Sequence, residues 1–388
     1  MSQSIEVVIP VHDVERPFKR AVSSALAQRA ELSRLGVELR VTVVLHNLGS
    51  AAAEVSAGSG AGSAAGAGFA GPEFDGVTWL SYDDGVRSPA GPRNRALDAS
   101  TATFLSFLDS DDHLEPGSLA AWWKAAQPNS ASVVIAPLRT PEGTILPAPR
   151  IRPSKPAVLD PLKDGLAYRS VPYGLLRRSV LTDVGFRYAE GLRTGEDIEA
   201  TLKLWFRSGP ICYPYGAPAY HQTDDSGAGR VTSSLSSLAD EFRWLERLLA
   251  SGWLQQARPA ERRAVALKVL RVHGIGALLR RAGASGLPDD ALWNEAERAY
   301  WADISSRLYA FAGGHLPELS RRDAELTRAA AAAADVQSLR TAVERHRTAG
   351  RLGDLVPASP AAILSRDSVL RHYLTERQRA RAGVFSRS

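Results

Sequence analysis

The stretch FLSFLDSDDHLEP, residues 104–116, runs from an apolar strand pattern straight into three aspartates. Phe104, Leu105, Phe107 and Leu108 form the nearly continuous apolar run of a strand buried on both faces of a parallel sheet. Asp109, Asp111 and Asp112 then stand where strand should give way to loop. In open α/β sheets, ligands collect in the crevice at the carboxyl ends of the strands. Alternate residues near such an end can project toward one ligand, and hard carboxylate oxygens suit Mg²⁺ or Mn²⁺. Carboxylates this close repel one another unless a positive charge sits among them. A solvated acidic turn, with Asp112 capping the next helix, fits the same spacing, so the stretch alone leaves both readings open.

Working outward, IEVVIPV (5–11) is a Val/Ile-rich run that predicts a second buried strand, and RPFKRAVSSALAQ after it places Phe18, Val22, Ala25 and Leu26 at helical spacing. VELRVTVVLHN (37–47) closes a strand–helix–strand unit, whose crossover is expected to be right-handed. VTWLSY (77–82) resumes the sheet, and a helix from about Pro92 to Ala99 leads into the 103–109 strand. EPGSLAAWWKAA is the next helix, with Pro116 near its first turn, and SVVIAPL the next strand. Residues 50–72, almost pure Ala/Gly/Ser, read as a flexible surface loop. From Ser236 the strand pattern stops, and Leu238, Phe242, Leu245, Leu248 and Leu249 recur at helical intervals. The expectation is an α/β domain over 1–235 and an all-helical region over 236–388.

Composition narrows the classes. The 388 residues exceed one ordinary domain, and 44% hydrophobic with 23% charged residues describes a globular chain with a sizeable core. One cysteine, Cys212, excludes an intramolecular disulfide framework and a thiolate-rich zinc site, and fits a reducing compartment. The start MSQSIEVVIP has no basic region ahead of a long apolar run, and no apolar stretch reaches 18 residues, so a cytoplasmic location is the expectation. The net charge of +5 is compatible with an anionic substrate or surface, but no zinc-finger, RNP-type or helix-turn-helix signature points to nucleic acid.

A second acidic site lies in GLRTGEDIEATLKLWFRSG (191–209), where Glu196 and Asp197 open an amphipathic helix. They complement the helix dipole, or they supply a fixed carboxylate for general-base chemistry. This segment alone does not choose between the two.

The order of VVIPVHD, PRNRALDASTATFLSFLDSDDHLEP, YGLLRRSVLTDVGF, GEDIEATLKLW and YHQTDDSGAGRVTS resembles the inverting family 2 glycosyltransferases of GT-A fold. The resemblance covers about residues 5–235 and leaves the helical region outside. It implies a Rossmann-like nucleotide-sugar-binding domain and transfer from a nucleoside-diphosphate sugar, by family default a UDP-sugar, to a hydroxyl of a cell-envelope glycan, polymer or lipid-linked acceptor. It further implies that Asp109 contacts the nucleotide side, that Asp111 ligates Mn²⁺ or Mg²⁺ with Asp109 nearby, and that Asp112 shapes the loop. Asp197 would be the base that deprotonates the acceptor hydroxyl, with Glu196 positioning the acceptor or supporting that base. Pro10 and Arg93 would line the nucleotide site, Asn94 would brace its loop, His221 would sit on the donor or metal side, and Arg230 would close over the diphosphate.

Two positions depart from the family pattern. Where relatives show Pro-x-Tyr-Asn, this chain has Pro10, Val11, His12 and Asp13; where they show Asp-Asp-Gly-Ser, it has Asn47, Leu48, Gly49 and Ser50. An Asn47 amide both donates and accepts, so it suits a uracil edge or another base. A nucleotidyltransferase would need a glycine-rich loop after the first strand, and PVHDVERPFKR has none. A catalytically inactive nucleotide-sugar-binding or scaffold protein is the alternative that the altered His12 and Asn47 positions keep open. Trp122 and Trp123 could stack on sugars, but on this helix they read as core packing, as do Trp244, Trp253, Trp293 and Trp301. RRAVALKVLRVHGIGALLRRAG (262–283) reads as a buried helix with arginines snorkelling outward, with peripheral membrane contact or homo-oligomerisation as the other uses.

Overall fold

The computed structural model describes residues 3–14, 17–49, 74–223 and 235–383. The Ala/Gly/Ser segment at 50–72 and Arg230 lie outside the described residues.

Seven strands form the central sheet: β1 (Gln3–Val11), β2 (Val37–His46), β3 (Val77–Tyr82), β4 (Phe104–Phe107), β6 (Val133–Ile135), β8 (Gly174–Arg177) and β9 (Ile211–Cys212). Their order is β3-β2-β1-β4-β8-β6-β9. β8 runs antiparallel to both its neighbours, and the other pairings are parallel. A second sheet of β5 (His113–Leu114), β10 (Tyr220–His221) and β7 (Leu138–Arg139), in the order β5-β10-β7, stands beyond the end of β4.

Side chains of β1 alternate between the two faces, as the period of a strand requires. Ile5, Val7, Ile9 and Val11 pack with Phe18, Val22, Leu119 and Trp122 on one side. Val8 packs with Phe107, Leu204 and Trp205 on the other. Both faces are covered, which is why the strands read as unbroken apolar runs rather than alternating ones. At β8 the chain passes so close to β6 that a Cβ on Gly174 would lie 1.9 Å from the Val134 carbonyl oxygen. Only glycine fits there.

Two expected elements come out differently. The helix expected to hold Pro116 in its first turn spans Ser118–Ala126, because Gly117 adopts φ +79° and breaks the chain ahead of it. SVVIAPL divides between β6 in the main sheet and β7 in the small one. The Ala-rich run of the C-terminal region is two helices, Arg321–Ala332 and Val336–Thr348. Asp335 starts the second by accepting from the Ser338 N–H at 2.7 Å.

After His221 every helix or strand among the described residues is helical. The core of that region holds Trp244, Trp293, Trp301, Leu248, Leu270 and Leu278, and it extends into the α/β part through Ala189, Leu192, Ile198 and Leu202. Val265, Leu267, Val269, Ile275 and Leu278 of the 262–283 segment are buried in it. Trp122 is buried too, its indole N–H bonded to the Pro218 carbonyl at 3.0 Å. No described helix is long and apolar enough to cross a membrane.

Candidate active site

Asp109 lies two residues beyond the end of β4, whose pairing with β1 continues one step further through the Leu108 N–H to the Val8 carbonyl at 2.9 Å. The sheet thus delivers its carboxylate to the carboxyl edge. There one oxygen accepts from Arg93 at 2.6 Å and the other from the Tyr173 hydroxyl at 2.5 Å. Tyr173 stacks on Tyr220 at 4.2 Å between centroids. The Tyr220 hydroxyl accepts from the Asp109 N–H at 3.0 Å and donates to Asp112 at 2.8 Å. Asp112 also accepts from the Thr223 N–H at 2.9 Å. Burial, with Asp109 close by, pushes the Asp112 carboxyl up to about 7. Asp112 is therefore a loop-shaping residue in its contacts, tied down by Tyr220 and Thr223. Arg20 and the Thr223 hydroxyl bond the Asp111 carbonyl, which fixes that residue's backbone.

Arg93 lies in the helix Ala90–Ala99, buried to 5% exposure, and its other amino group donates to Glu196 at 3.1 Å. One guanidinium therefore holds together two carboxylates 87 positions apart in the chain (196 − 109). Tyr188 covers it, with the Arg93 cation 5.1 Å from the ring centroid. Next to Arg93, the Asn94 amide brackets the Tyr188 backbone, donating to its carbonyl and accepting from its N–H, both at 3.0 Å, and also reaches Glu190 at 2.7 Å.

Asp197 stands at the N-terminus of the helix Ile198–Arg207. Burial and the adjacent Glu196 raise its carboxyl to about 8, while Arg93 and Lys268 act in the opposite direction. The turn leading into it needs Gly195, which has φ +75° and a Cβ position only 2.7 Å from the Trp244 ring.

Asn47 adopts φ +56°, and its amide is taken up by the 84–86 turn and by His46, 3.0 Å from its nitrogen. Its oxygen accepts from the N–H groups of Asp84 at 2.9 Å and Gly85 at 3.0 Å, and its nitrogen donates to the Val86 carbonyl at 3.1 Å. Asp84 in turn pairs with His46 at 2.8 Å. His221 leaves β10 beside His113, the two rings 4.4 Å apart. Burial pushes both imidazoles toward the neutral form. Pro10 sits in β1, paired with Val44.

Among the described residues, no three His, Cys, Asp or Glu side chains converge as a metal cage. Each oxygen of Asp109 already accepts one hydrogen bond, and one or two strand-end carboxylates suit an open site of the kind that Mg²⁺ or Mn²⁺ completes with phosphate and water oxygens. Sequence reasoning missed Tyr173, Tyr220, Arg20 and the His46–Asp84 pair. Tyr173 does open the motif YGLLRRSVLTDVGF, so its position before a strand was visible, though its partner was not.

This arrangement of sheet and cleft is the GT-A fold of glycosyltransferases. No family model matches the chain. It aligns with the structure of residues 1–349 of Staphylococcus aureus TarS in complex with UDP-GlcNAc, at TM-score 0.67 and 17% identity, covering 89% of this chain and 92% of that one. In sequence it is 24% identical over 174 residues to the S. aureus poly(ribitol-phosphate) β-N-acetylglucosaminyltransferase TarS, covering 45% of this chain and 30% of that protein. It is 22% identical over 139 residues to the poly(ribitol-phosphate) β-glucosyltransferase of Bacillus spizizenii, covering 36% of this chain and 22% of the relative. It is 31% identical over 128 residues to the succinoglycan biosynthesis protein ExoU of Rhizobium meliloti, covering 29% and 36%. The chain thus spans a third or less of the length of the poly(ribitol-phosphate) transferases it matches.

Proposed function

We propose that the protein is an inverting glycosyltransferase that moves a sugar from a nucleoside-diphosphate donor, a UDP-sugar by analogy with its relatives, to a hydroxyl of a cell-envelope glycan or polymer. The observation that carries this reading is the Arg93 bridge. It brings the strand-end aspartate and the Glu196–Asp197 pair into one cleft, as a reaction between a bound donor and a deprotonated acceptor requires.

In the reaction, the acceptor oxygen attacks the anomeric carbon from the face opposite the diphosphate. The new carbon–oxygen bond forms as the bond to the diphosphate breaks, and the electron pair leaves with the diphosphate. Asp197 takes the hydroxyl proton, and its raised carboxyl suits a base that works near neutral pH. Glu196, fixed by Arg93, orients the acceptor. Asp109, clamped by Arg93 and Tyr173, presents a rigid edge to the nucleotide side. A divalent ion on Asp111 would offset the charge growing on the leaving diphosphate.

The test is calorimetry with UDP, GDP, dTDP and CDP, with and without Mn²⁺, using Asp111→Asn as control. Metal-dependent binding of UDP that is lost in the variant is expected. No metal-dependent binding of any diphosphate would move the reading to an inactive binding or scaffold protein.

A further inference from the structure

The last described helix, Val369–Arg381, has its polarity reversed. A surface helix ordinarily buries its apolar stripe and turns its charges to water. Here His372, Glu376 and Arg379 share the side that faces the protein, the first two half-buried and Arg379 only 1% exposed. Arg379 pairs with Glu376 and lies 3.5 Å from His372 Nδ1, while its Nε and Nη1 find no hydrogen-bond partner among the described residues. The opposite side carries Tyr373, Leu374, Arg377 and Arg381, all exposed. Burying charge while exposing leucine costs free energy on both sides of the helix. The arrangement makes sense if something apolar covers the outward side.

That side is part of a larger patch. Leu364 stands just ahead of the helix, and its carbonyl accepts from Arg371 Nη1 at 3.2 Å. The Ser368 hydroxyl, which caps the helix, holds the Ile363 carbonyl at 2.8 Å. The helix Gly350–Leu355 packs alongside and adds Leu352. Leu364 at 85%, Leu352 at 78% and Leu374 at 51% are the three most exposed large apolar side chains among the described residues, and Tyr373 adds 39%.

The charge around the patch has one sign. Residues 350–383 hold six arginines and three acids. Glu376 is taken by Arg379 and Asp354 by Arg322 at 2.7 Å, and Asp367 is half-buried. Arg351, Arg366, Arg371, Arg377 and Arg381 are exposed and make no ion pair among the described residues. The Arg377 guanidinium lies 5.8 Å from the Tyr373 ring centroid. Leucine, tyrosine and arginine without a free acid suit a bilayer interface, where apolar groups enter the acyl boundary and guanidinium groups stay with anionic headgroups. A second copy of the chain fits less well, because a two-fold interface would set this positive patch against itself.

We propose that this corner, the helix Val369–Arg381 with Leu352 and Leu364, seats the protein on an anionic lipid surface. The inference is independent of the chemistry of the cleft. It also moves membrane contact away from the 262–283 segment, whose Val265, Leu267, Val269, Ile275 and Leu278 are buried.

The test is sedimentation of the full chain with vesicles of phosphatidylcholine alone and of equal parts phosphatidylcholine and phosphatidylglycerol, at low and at physiological salt. Binding to the anionic vesicles only, weakened by salt, is expected. Leu364→Gln combined with Leu374→Gln should weaken it by about tenfold or more. Arg377→Gln combined with Arg381→Gln should weaken it and flatten its salt dependence, with the urea midpoint of both variants unchanged. No binding to anionic vesicles, or binding that the leucine pair leaves as it was, overturns the proposal. A dimer in light scattering that the leucine pair dissolves also overturns it, and makes this face an interface between two copies.

Discussion

The two halves of the cleft are held in different ways. On the donor side, Asp109, Asp112, Tyr173 and Tyr220 come from the ends of the two sheets and satisfy one another directly. On the side proposed for the base, Glu196 and Asp197 follow Gly195, whose Cβ position meets Trp244 of the helical region, with His273 edge-on to that ring. The first half is a property of the sheet, and the second depends on how two parts of the chain pack. Damage to the helical region should therefore reach the base and spare the donor site.

Asp197→Asn gives the largest effect expected. Transfer falls about 10²–10⁴-fold, while diphosphate binding by calorimetry is unchanged. Equal loss of both would erase the division between the halves. Arg93→Met removes the guanidinium that, among the described residues, pairs with both halves, and leaves Asp109 and Glu196 partly buried without their cation. Unfolding free energy is expected to drop by about 3–5 kcal/mol, with both binding and turnover affected. Gly195→Ala puts a Cβ into the Trp244 ring at φ +75°. It should cost about 1–3 kcal/mol in thermal unfolding and lower turnover with donor affinity kept.

His273 sharpens the comparison through pH. Its pKa, lowered to about 2, means that below about 6.5 the unfolded chain binds a proton that the folded chain refuses. Stability is present above that pH and is lost as the pH falls, by up to about 1.4 kcal/mol per pH unit. Urea unfolding at pH 7 and pH 5 should show a smaller loss for His273→Gln than for the unaltered protein. Tyr173→Phe gives the smallest change, about 1 kcal/mol in stability with a several-fold weaker diphosphate affinity, because Arg93 still holds Asp109. A large fall in turnover at saturating donor would place Tyr173 on the base side instead.

Much of the sheet edge was legible because its signals are local. A buried strand has a recognisable apolar run, and the place of Asp109 beyond the end of that run followed from it. The positions of β2 and β3 followed from Val37–His46 and Val77–Tyr82 in the same way. What escaped depended on distant partners. Trp244 stands 49 positions after Gly195 (244 − 195), and neither segment points to the other. The stacking of Tyr173 on Tyr220 joins two sheets, and nothing in either motif names the other. Asn47 reads as a base-facing amide in sequence, yet its φ of +56° turns it into the brace of the 84–86 turn.

The hydrophobic cluster that takes Ala189, Leu192, Ile198 and Leu202 together with Trp244, Leu248 and Leu270 has a practical consequence for protein engineering. Grafting the helical region of one such enzyme onto the sheet of another, in order to change acceptor, would cut through a continuous oil seam rather than a hinge. A chimera joined after the last strand would present mismatched apolar faces and aggregate unless both sides of that seam were transplanted as a unit. The change from strands to helices thus falls where one buried cluster continues from one part of the chain into the other.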